Sequence, residues 1–178
     1  MVIKLRPFSP AGFPRLIQAI DSPRQLVQWG GPSQFTFPLS EVQLADYLAT
    51  AVGSHARARI YTALDETGEA VGHIELGFID MNNATAAVCR VLVFAAARRR
   101  GACAPMVGRL LEIGFGELGL RRIELRVYAF NTPAIRCYER AGFVREGVLR
   151  QAQRVGPELW DLVVMGILRE EWEARAAR

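Results

Sequence analysis

The chain has 178 residues, of which 51% are hydrophobic and 22% are charged, and its net charge is +4. This size and composition are typical of one globular domain, so we expect residues 1–178 to form a single domain. The sequence has no apolar run near the roughly 20 residues that cross a bilayer, no signal-peptide pattern and no basic stripe interleaved with aromatics. We therefore expect no membrane association and no nucleic-acid partner.

The first part of the chain predicts one strand followed by short helices. Alternation of apolar residues over 2–8 favours a strand. Pro14 and Pro23 interrupt residues 9–29, which predicts two short helices there. The glycine and proline content of residues 30–38 is typical of a loop.

The next helix has clear start and stop signals. Ser40 can cap its first turn, and Gln43 stands at the capping-box position three residues later. Leu39 and Leu44 can pack against each other around this cap. Gly53 is a natural end for the helix.

The remaining segments alternate between strands and helices. In chain order they are a hairpin over 56–80 with its turn at 65–68, a central strand over 86–94, a helix that follows the arginines at 98–100 and ends at Gly119, a strand over 121–130, a helix over 132–142, and two strands over 143–151 and 158–168. This order predicts an α/β (α+β) domain with a largely antiparallel sheet.

The cysteines carry little information by count alone. Cys89, Cys103 and Cys137 are too few for a disulfide framework and lack the spacing of metal ligands. We therefore expect no metal ion and a reducing, cytoplasmic location.

The stretch RRRGACAPMV at residues 98–107 places three arginines against small residues where a helix begins. The free N–H groups and partial positive charge of a helix N-terminus bind phosphates when the backbone can be approached closely. The arginines are Arg98, Arg99 and Arg100, and the small residues are Gly101, Ala102, Cys103 and Ala104. The stretch suits a pyrophosphate, although it is neither a Walker loop nor a dinucleotide fingerprint. A solvated arginine cluster before an ordinary helix is the alternative.

Two sequence blocks, in this order and at this separation, resemble the Gcn5-related N-acetyltransferase (GNAT) superfamily over about residues 87–150. The first is a strand followed by [QR]-x-x-G-x-[GA] and a helix, and it corresponds to residues 98–103. The second has Asn131, then Tyr138 seven residues later, then Gly142-Phe143. The N-terminal half is similar to the ribosomal-protein N-acetyltransferase-like (RimJ/RimL-type) branch.

The resemblance implies an acetyl-CoA site in a mixed, mostly antiparallel seven-stranded sheet whose central strands splay apart. The pantetheine arm would pair with the backbone of Val91, Leu92 and Val93, and the pyrophosphate would lie on residues 98–104. Cys103 departs from the motif, which has glycine or alanine there, but cysteine is small enough to preserve the cradle.

Acetyl transfer to an amine requires a neutral amine, support for the tetrahedral oxyanion and a proton for the leaving thiolate. The resemblance makes Tyr138 the general acid, because a phenol with a pKa of about 10 is protonated at neutral pH. A backbone N–H near Val93 would support the oxyanion. Asn131 would bind the pantetheine, cap the following helix, or do both. Packing at a helix–sheet junction is the alternative role for Tyr138.

The general base has several candidates. Glu75 is the first choice, His73 lies on the same face of its strand by alternation, and a water chain is a third possibility. His55 is expected in solvent. Three aromatic residues either line the acceptor pocket or pack in the core: Trp29, Phe35 and Phe37.

The sequence therefore predicts an acetyl-CoA-dependent N-acetyltransferase, an acyltransferase acting on a primary amine by direct attack in a ternary complex. The acceptor would be a protein N-terminus or a small-molecule amine. A catalytically silent CoA-binding sensor is the alternative, and a nucleic-acid-binding module is a third hypothesis. The apolar strand over 158–168 would either pair across a homodimer or lie inside the sheet.

Overall fold

A seven-stranded mixed sheet organises the computed structural model, which describes residues 1–53 and 56–176. The strands are β1 (Lys4–Pro7), β2 (Arg59–Leu64), β3 (Ala70–Asp80), β4 (Thr85–Val93), β5 (Arg122–Tyr128), β6 (Val144–Val155) and β7 (Glu158–Leu168). The helices are α1 (Phe13–Ala19), α2 (Pro23–Gly30), α3 (Glu41–Ala49), α4 (Cys103–Leu111), α5 (Thr132–Ala141) and α6 (Arg169–Ala176). Within the described ranges, no helix is long and apolar enough to cross a membrane.

The strand order is β1-β2-β3-β4-β5-β7-β6, and every neighbouring pair except β4–β5 is antiparallel. This confirms the predicted α/β class and the largely antiparallel sheet. β7 lies inside the sheet between β5 and β6, so its apolar character reflects burial rather than pairing across a homodimer.

The parallel contact between β4 and β5 is short. Residues 85–87 pair with residues 122–124, and beyond them β4 follows β3 while β5 follows β7. The two strands therefore separate toward their C-terminal ends. We call the resulting opening the β4–β5 gap.

The two faces of the sheet carry separate hydrophobic cores. Ile74 and Leu76 of β3 pack into the core under α4 and α5, whereas Tyr47 of α3 packs into the core under α1–α3. His73 and Glu75 alternate with Ile74 and Leu76 along β3, so their side chains face α1–α3.

Several helices begin or end where local sequence signals predict. Ser40 Oγ accepts the Gln43 N–H at 3.4 Å at the start of α3, and Asn131 Oδ1 accepts the Ala134 N–H at 3.4 Å at the start of α5. α5 ends at Ala141 and is followed by Gly142, whose φ of 108° suits glycine. The prolines also divide the N-terminal helical region into α1 and α2.

The helix after the arginines differs from its predicted form. α4 ends at Leu111, and a π-helical segment, Glu112–Glu117, continues toward Gly119, whose φ is 68°. A Cβ at Gly114 would lie 2.4 Å from Ile123 Cδ1, so this wider segment packs closely on β5 because the glycine has no side chain.

Cys103 and Cys137 form a disulfide with 6.3 Å between their Cα atoms, and Cys89 has a free thiol. The bond joins the first residue of α4 to α5. The sequence does not predict it, because a single bond depends on two distant helices meeting in the fold rather than on spacing. The cysteine count therefore no longer supports a reducing location, since disulfides persist mainly in oxidising compartments.

Candidate active site

β4 bulges at Arg90, beyond the point where the β4–β5 gap opens. Arg90 has a positive φ of 49°, and the β3–β4 register shifts between His73 and Glu75. Such a bulge redirects a side chain, and here the guanidinium meets Glu75 while the Arg90 carbonyl accepts a hydrogen bond from Trp29 Nε1 at 3.0 Å. Arg90 was not identified from the sequence, although a charged residue inside an apolar central strand is a visible signal.

The Glu75 carboxylate is held at one oxygen and open at the other. Its Oε2 accepts hydrogen bonds from Arg90 Nη1 at 2.6 Å and from the Tyr47 hydroxyl at 2.5 Å, and the residue is only 4% exposed. Its Oε1 has no hydrogen-bond donor in the part of the chain that the structure describes, and it lies beside Gly77. Two donors on Oε2 fix the carboxylate plane and leave Oε1 able to accept a proton.

Tyr47 connects Glu75 to His73. Its hydroxyl lies 3.1 Å from His73 Nε2, and burial followed by the charge of Glu75 raises the Tyr47 pKa. Burial, and then the charge of Arg90, lowers the His73 pKa to about 3, so the imidazole is neutral and weakly basic at pH 7. His73 Nδ1 is buried and has no hydrogen-bond partner among residues 1–53 and 56–176. Neither Tyr47 nor its bridging position was identified from the sequence.

Tyr138 lies close enough to Cys89, on the segment of β4 beyond its last pair with β5, for the charge of that thiolate to affect its titration. Burial, and then the charge of Cys89, raises the Tyr138 pKa above its usual value, so the phenol stays protonated well above pH 7. Burial followed by the charge of Glu75 raises the Cys89 pKa to about 12. Cys89 pairs with Glu75 across β3 and β4.

The arginine-rich turn follows the C-terminal end of β4 and leads into α4. Gly101 has a φ of 80° with nothing within 4 Å of a Cβ built there, so the conformation rather than crowding requires glycine. Residues 101–104 lead into the first turn of α4, where N–H groups lack intrahelical acceptors. The side chains of Arg99 and Arg100 are exposed, and Arg98 Nε donates to the Val93 carbonyl at 3.1 Å.

The other predicted cofactor residues lie along the same opening. Val91, Leu92 and Val93 are half-buried on the segment of β4 that has left β5. Asn131 caps α5, and its contact with a pantetheine arm stays a prediction. Ala102, Cys103 and Ala104 begin α4, and the Cys103–Cys137 disulfide ties this turn to the residue before Tyr138.

The predicted pocket aromatics divide between core and surface. Trp29 and Phe35 are buried and pack with their ring centres 5.0 Å apart beside Tyr47, whereas Phe37 is 43% exposed. His55 lies outside the described residues. A cavity of about 280 Å³ opens next to the Glu75–Arg90 pair. Its lining is formed by Gln34, Thr50, Arg57, Ala58, Glu75, Phe78 and Arg90.

The fold of the chain is similar to that of a solved acetyltransferase structure. The fold matches a crystal structure of spermidine N-acetyltransferase from Vibrio cholerae in complex with CoA and spermine, with a TM-score of 0.83 and 20% sequence identity. That match covers 96% of this chain and 98% of the other.

Sequence relatives come from two Bacillus species. The chain is 33% identical over 113 residues to the SPbeta prophage-derived uncharacterized N-acetyltransferase YokL of Bacillus subtilis (strain 168), a match that covers 64% of this chain and 63% of the relative. It is 30% identical over 117 residues to an uncharacterized N-acetyltransferase of Bacillus licheniformis, covering 64% of each protein. Each match thus spans less than two thirds of the relative. The sequence profile of the Acetyltransferase (GNAT) family matches residues 24–143, and the chain therefore belongs to this family.

Proposed function

We propose that the protein is an acetyl-CoA-dependent N-acetyltransferase that acts on a primary amine by direct attack in a ternary complex. One arrangement supports this proposal above all. We place Tyr138, which lies near Cys89 of β4, on one side of the β4–β5 gap and the Glu75 carboxylate on the other, with the turn at 98–104 as the proposed anion site at its open end. An acid, a base and a phosphate cradle are the parts that amine acetylation by a CoA thioester requires.

The residues around the gap fit acetyl-CoA. The N–H groups of residues 101–104 and the neighbouring guanidiniums suit a pyrophosphate, and the backbone of Val91, Leu92 and Val93 is free of a β5 partner. When bound, acetyl-CoA supplies an electrophilic thioester carbonyl and a thiolate leaving group.

Tyr138 is the proposed general acid. Its raised pKa keeps the hydroxyl protonated, and no donor or acceptor within the described ranges engages it. The hydroxyl is therefore available to donate its proton to the departing sulfur.

Glu75 Oε1 is the proposed general base for the amine. Arg90 and Tyr47 hold the opposite oxygen, so they orient the carboxylate without occupying the atom that accepts the proton. His73 is a weaker candidate because its pKa of about 3 is far below neutral pH.

The acceptor that we favour is a small-molecule amine. The cavity beside Glu75 has the volume of a small molecule, and the V. cholerae protein of matching fold is a spermidine N-acetyltransferase. A protein N-terminus, the acceptor implied by the resemblance to the ribosomal-protein branch, is the second class to test.

Thiol release from acetyl-CoA over a panel of amines and peptides tests the proposal, with wild type compared with Tyr138→Phe. We expect kcat to fall at least about 100-fold in the variant, because general acid catalysis is lost. The calorimetric affinity for CoA should stay unchanged. Tyr61→Phe, in a buried tyrosine of β2, is the matched control and should retain activity.

Unchanged turnover in Tyr138→Phe would remove this residue from the acid role. Tight CoA binding by the wild type without thiol release on any amine or peptide would instead favour the sensor hypothesis.

A further inference from the structure

Arg24, in the first turn of α2, lies against a pocket formed by aromatic rings and a carboxylate. Its guanidinium carbon is 4.6 Å from the Trp160 ring centre and 5.4 Å from the Phe130 ring centre, and its Nη1 donates to Glu158 Oε1 at 2.7 Å. We call Phe130, Trp160 and Glu158 the aromatic cage. Ring faces combined with a carboxylate bind alkylammonium and guanidinium groups.

The walls of the aromatic cage are held together without Arg24. The Phe130 and Trp160 rings pack at 4.9 Å with an interplanar angle of 79°, and Tyr128 packs edge-on to Trp160 at 4.8 Å. Trp160 Nε1 donates to Glu158 Oε2 at 2.7 Å, which also fixes the carboxylate. The cage is therefore preformed, and Arg24 is a cation that enters it from a distant part of the chain.

The aromatic cage lies on the same face of the sheet as Glu75. Val163 packs into the core under α4 and α5, so its neighbour Leu162 and the paired Tyr128 face α1–α3. Trp160 lies two residues before Leu162 and shares that face.

α2 spans the β4–β5 gap on this face. Trp29, near its C-terminal end, donates to the Arg90 carbonyl on β4, while Arg24, at its start, reaches Glu158 on β7. Tyr128 lies four residues beyond the last β4–β5 pair, and Cys89 lies two residues beyond it. Trp160 lies two residues further along than Leu162, the partner of Tyr128, so it is level with position 130. The aromatic cage and Glu75 are thus offset by about 13 Å along the strands, with the gap between them.

Arg24 is held in the aromatic cage by weak contacts. The side chains of Arg24 and Glu158 are each 50% exposed, and ion pairs and cation–π contacts at such exposed sites contribute little stability. A ligand cation of the same chemistry can therefore replace the guanidinium.

We propose that the aromatic cage is a cation subsite of the acceptor cleft, filled by Arg24 when no acceptor is bound. It takes a second alkylammonium or guanidinium group of an acceptor whose primary amine lies at Glu75. This inference rests on the proposed acetyl transfer and narrows the acceptor to a dicationic amine whose two cations lie more than about 13 Å apart. Such an acceptor is either a long aliphatic diamine or a peptide with an arginine a few residues after its N-terminus.

Binding to the cage is tested without any acetyl transfer. Butylguanidinium chloride is titrated into ¹⁵N-labelled protein against equimolar NaCl, and the indole N–H signal of Trp160 is followed. Because Arg24→Ala removes the competing cation, we expect a dissociation constant at least about fivefold lower than in wild type. Arg15→Ala is the matched control, since it removes an exposed arginine that pairs with Glu69 and stacks on Phe94.

Arg24→Gln provides a second variant of similar length in case the alanine variant does not fold, and circular dichroism verifies folding. A saturable shift that tightens in an Arg24 variant and not in Arg15→Ala supports the subsite. Equal affinities in the Arg24 variants and wild type, or no saturable shift in an Arg24 variant, would overturn it.

Kinetics then assign the subsite to the acceptor. For wild type and Glu158→Gln, the KM for 1,12-diaminododecane is divided by the KM for 12-aminododecan-1-ol, and the KM for an Ala-Ala-Ala-Arg peptide is divided by the KM for Ala-Ala-Ala-Ala. We expect either ratio to rise at least about fivefold in Glu158→Gln, and the ratio that rises identifies the source of the cation. Two unchanged ratios would reject the subsite while leaving the acetyltransferase proposal intact, whereas no transfer to any acceptor would reject that proposal alone.

Discussion

Glu75 Oε1 fills the space that a side chain at Gly77 would need. A Cβ built on Gly77 would lie 2.4 Å from that oxygen and 3.4 Å from Cys89 Sγ. The oxygen that we propose as the proton acceptor therefore depends on an absent side chain two residues along the same strand. The position of the base and the sequence of β3 are coupled by this contact.

Gly77→Ala should displace the Glu75 carboxylate from its pairing with Arg90 and Tyr47. We expect kcat to fall at least about tenfold, since a misplaced base loses most of its contribution. Steady-state kinetics with the best acceptor of the panel measure the effect. Gly147→Ala is the control, because nothing lies within 4 Å of its Cβ position. Equal kcat values in the two variants would contradict the assigned position of Glu75.

Gly101→Ala should weaken CoA binding through backbone strain. Gly101 has a φ of 80°, a conformation that costs an L-residue about 1–2 kcal/mol. Relief of this strain reorients the N–H groups of residues 101–104, so we expect the CoA dissociation constant to rise about tenfold by calorimetry. Gly108→Ala, inside α4 with open space around its Cβ position, should leave CoA affinity as in wild type.

Reduction of the Cys103–Cys137 disulfide should destabilise the fold. The bond closes a loop over 34 positions, for which the chain-entropy relation gives about 4 kcal/mol. Urea denaturation with and without dithiothreitol measures the loss in the free energy of unfolding. The Cys89→Ser variant should lose as much of this free energy on reduction as wild type. Cys103→Ser should already be destabilised and insensitive to the reductant. Three free thiols in the non-reduced protein would show that the bond is not formed.

Acidification should destabilise the fold through His73. Its folded-state pKa of about 3 lies below the ordinary value of 6.5, so the unfolded chain binds a proton that the folded chain does not. The contribution of His73 to the free energy of unfolding is therefore fully present above about pH 6.5. It falls by about 1.4 kcal/mol per pH unit as the pH drops toward 3.

Urea unfolding of wild type and His73→Gln at pH 7, 5 and 4 isolates this contribution, because both proteins share the same carboxylates. We expect the stability difference between them to shrink as the pH falls. Parallel pH profiles would show that His73 is already charged or exposed in the folded protein.

The sequence predicts those parts of the structure that depend on neighbours in the chain. Ser40, Asn131 and Gly142 mark helix ends through hydrogen bonds or backbone conformations within a few residues, so the caps of α3 and α5 are predictable. The order of the elements predicts the largely antiparallel sheet. The resemblance to the GNAT superfamily supplied the opening between the central strands, which no local pattern contains.

Contacts between distant residues are what the sequence did not predict. The Arg90 bulge depends on how β4 pairs with β3, and its partner Glu75 lies 15 positions earlier. Arg24 and Glu158 are 134 positions apart. Such pairings are set by the packing of the whole domain, so they cannot be predicted from the periodicity or spacing of residues in the sequence.

The short β4–β5 contact divides the sheet into two half-sheets joined at three residue pairs. Amides of β4 that face the opening beyond residue 87 have no strand partner in the described ranges, so they should exchange with deuterium faster than the paired amides of β5 and β7. An extended molecule that accepts hydrogen bonds from these unpaired β4 amides would lie in the centre of the sheet like an added strand. We therefore expect the proposed coenzyme to complete the sheet when it binds, which is measurable as new exchange protection in the interior rather than at the edges.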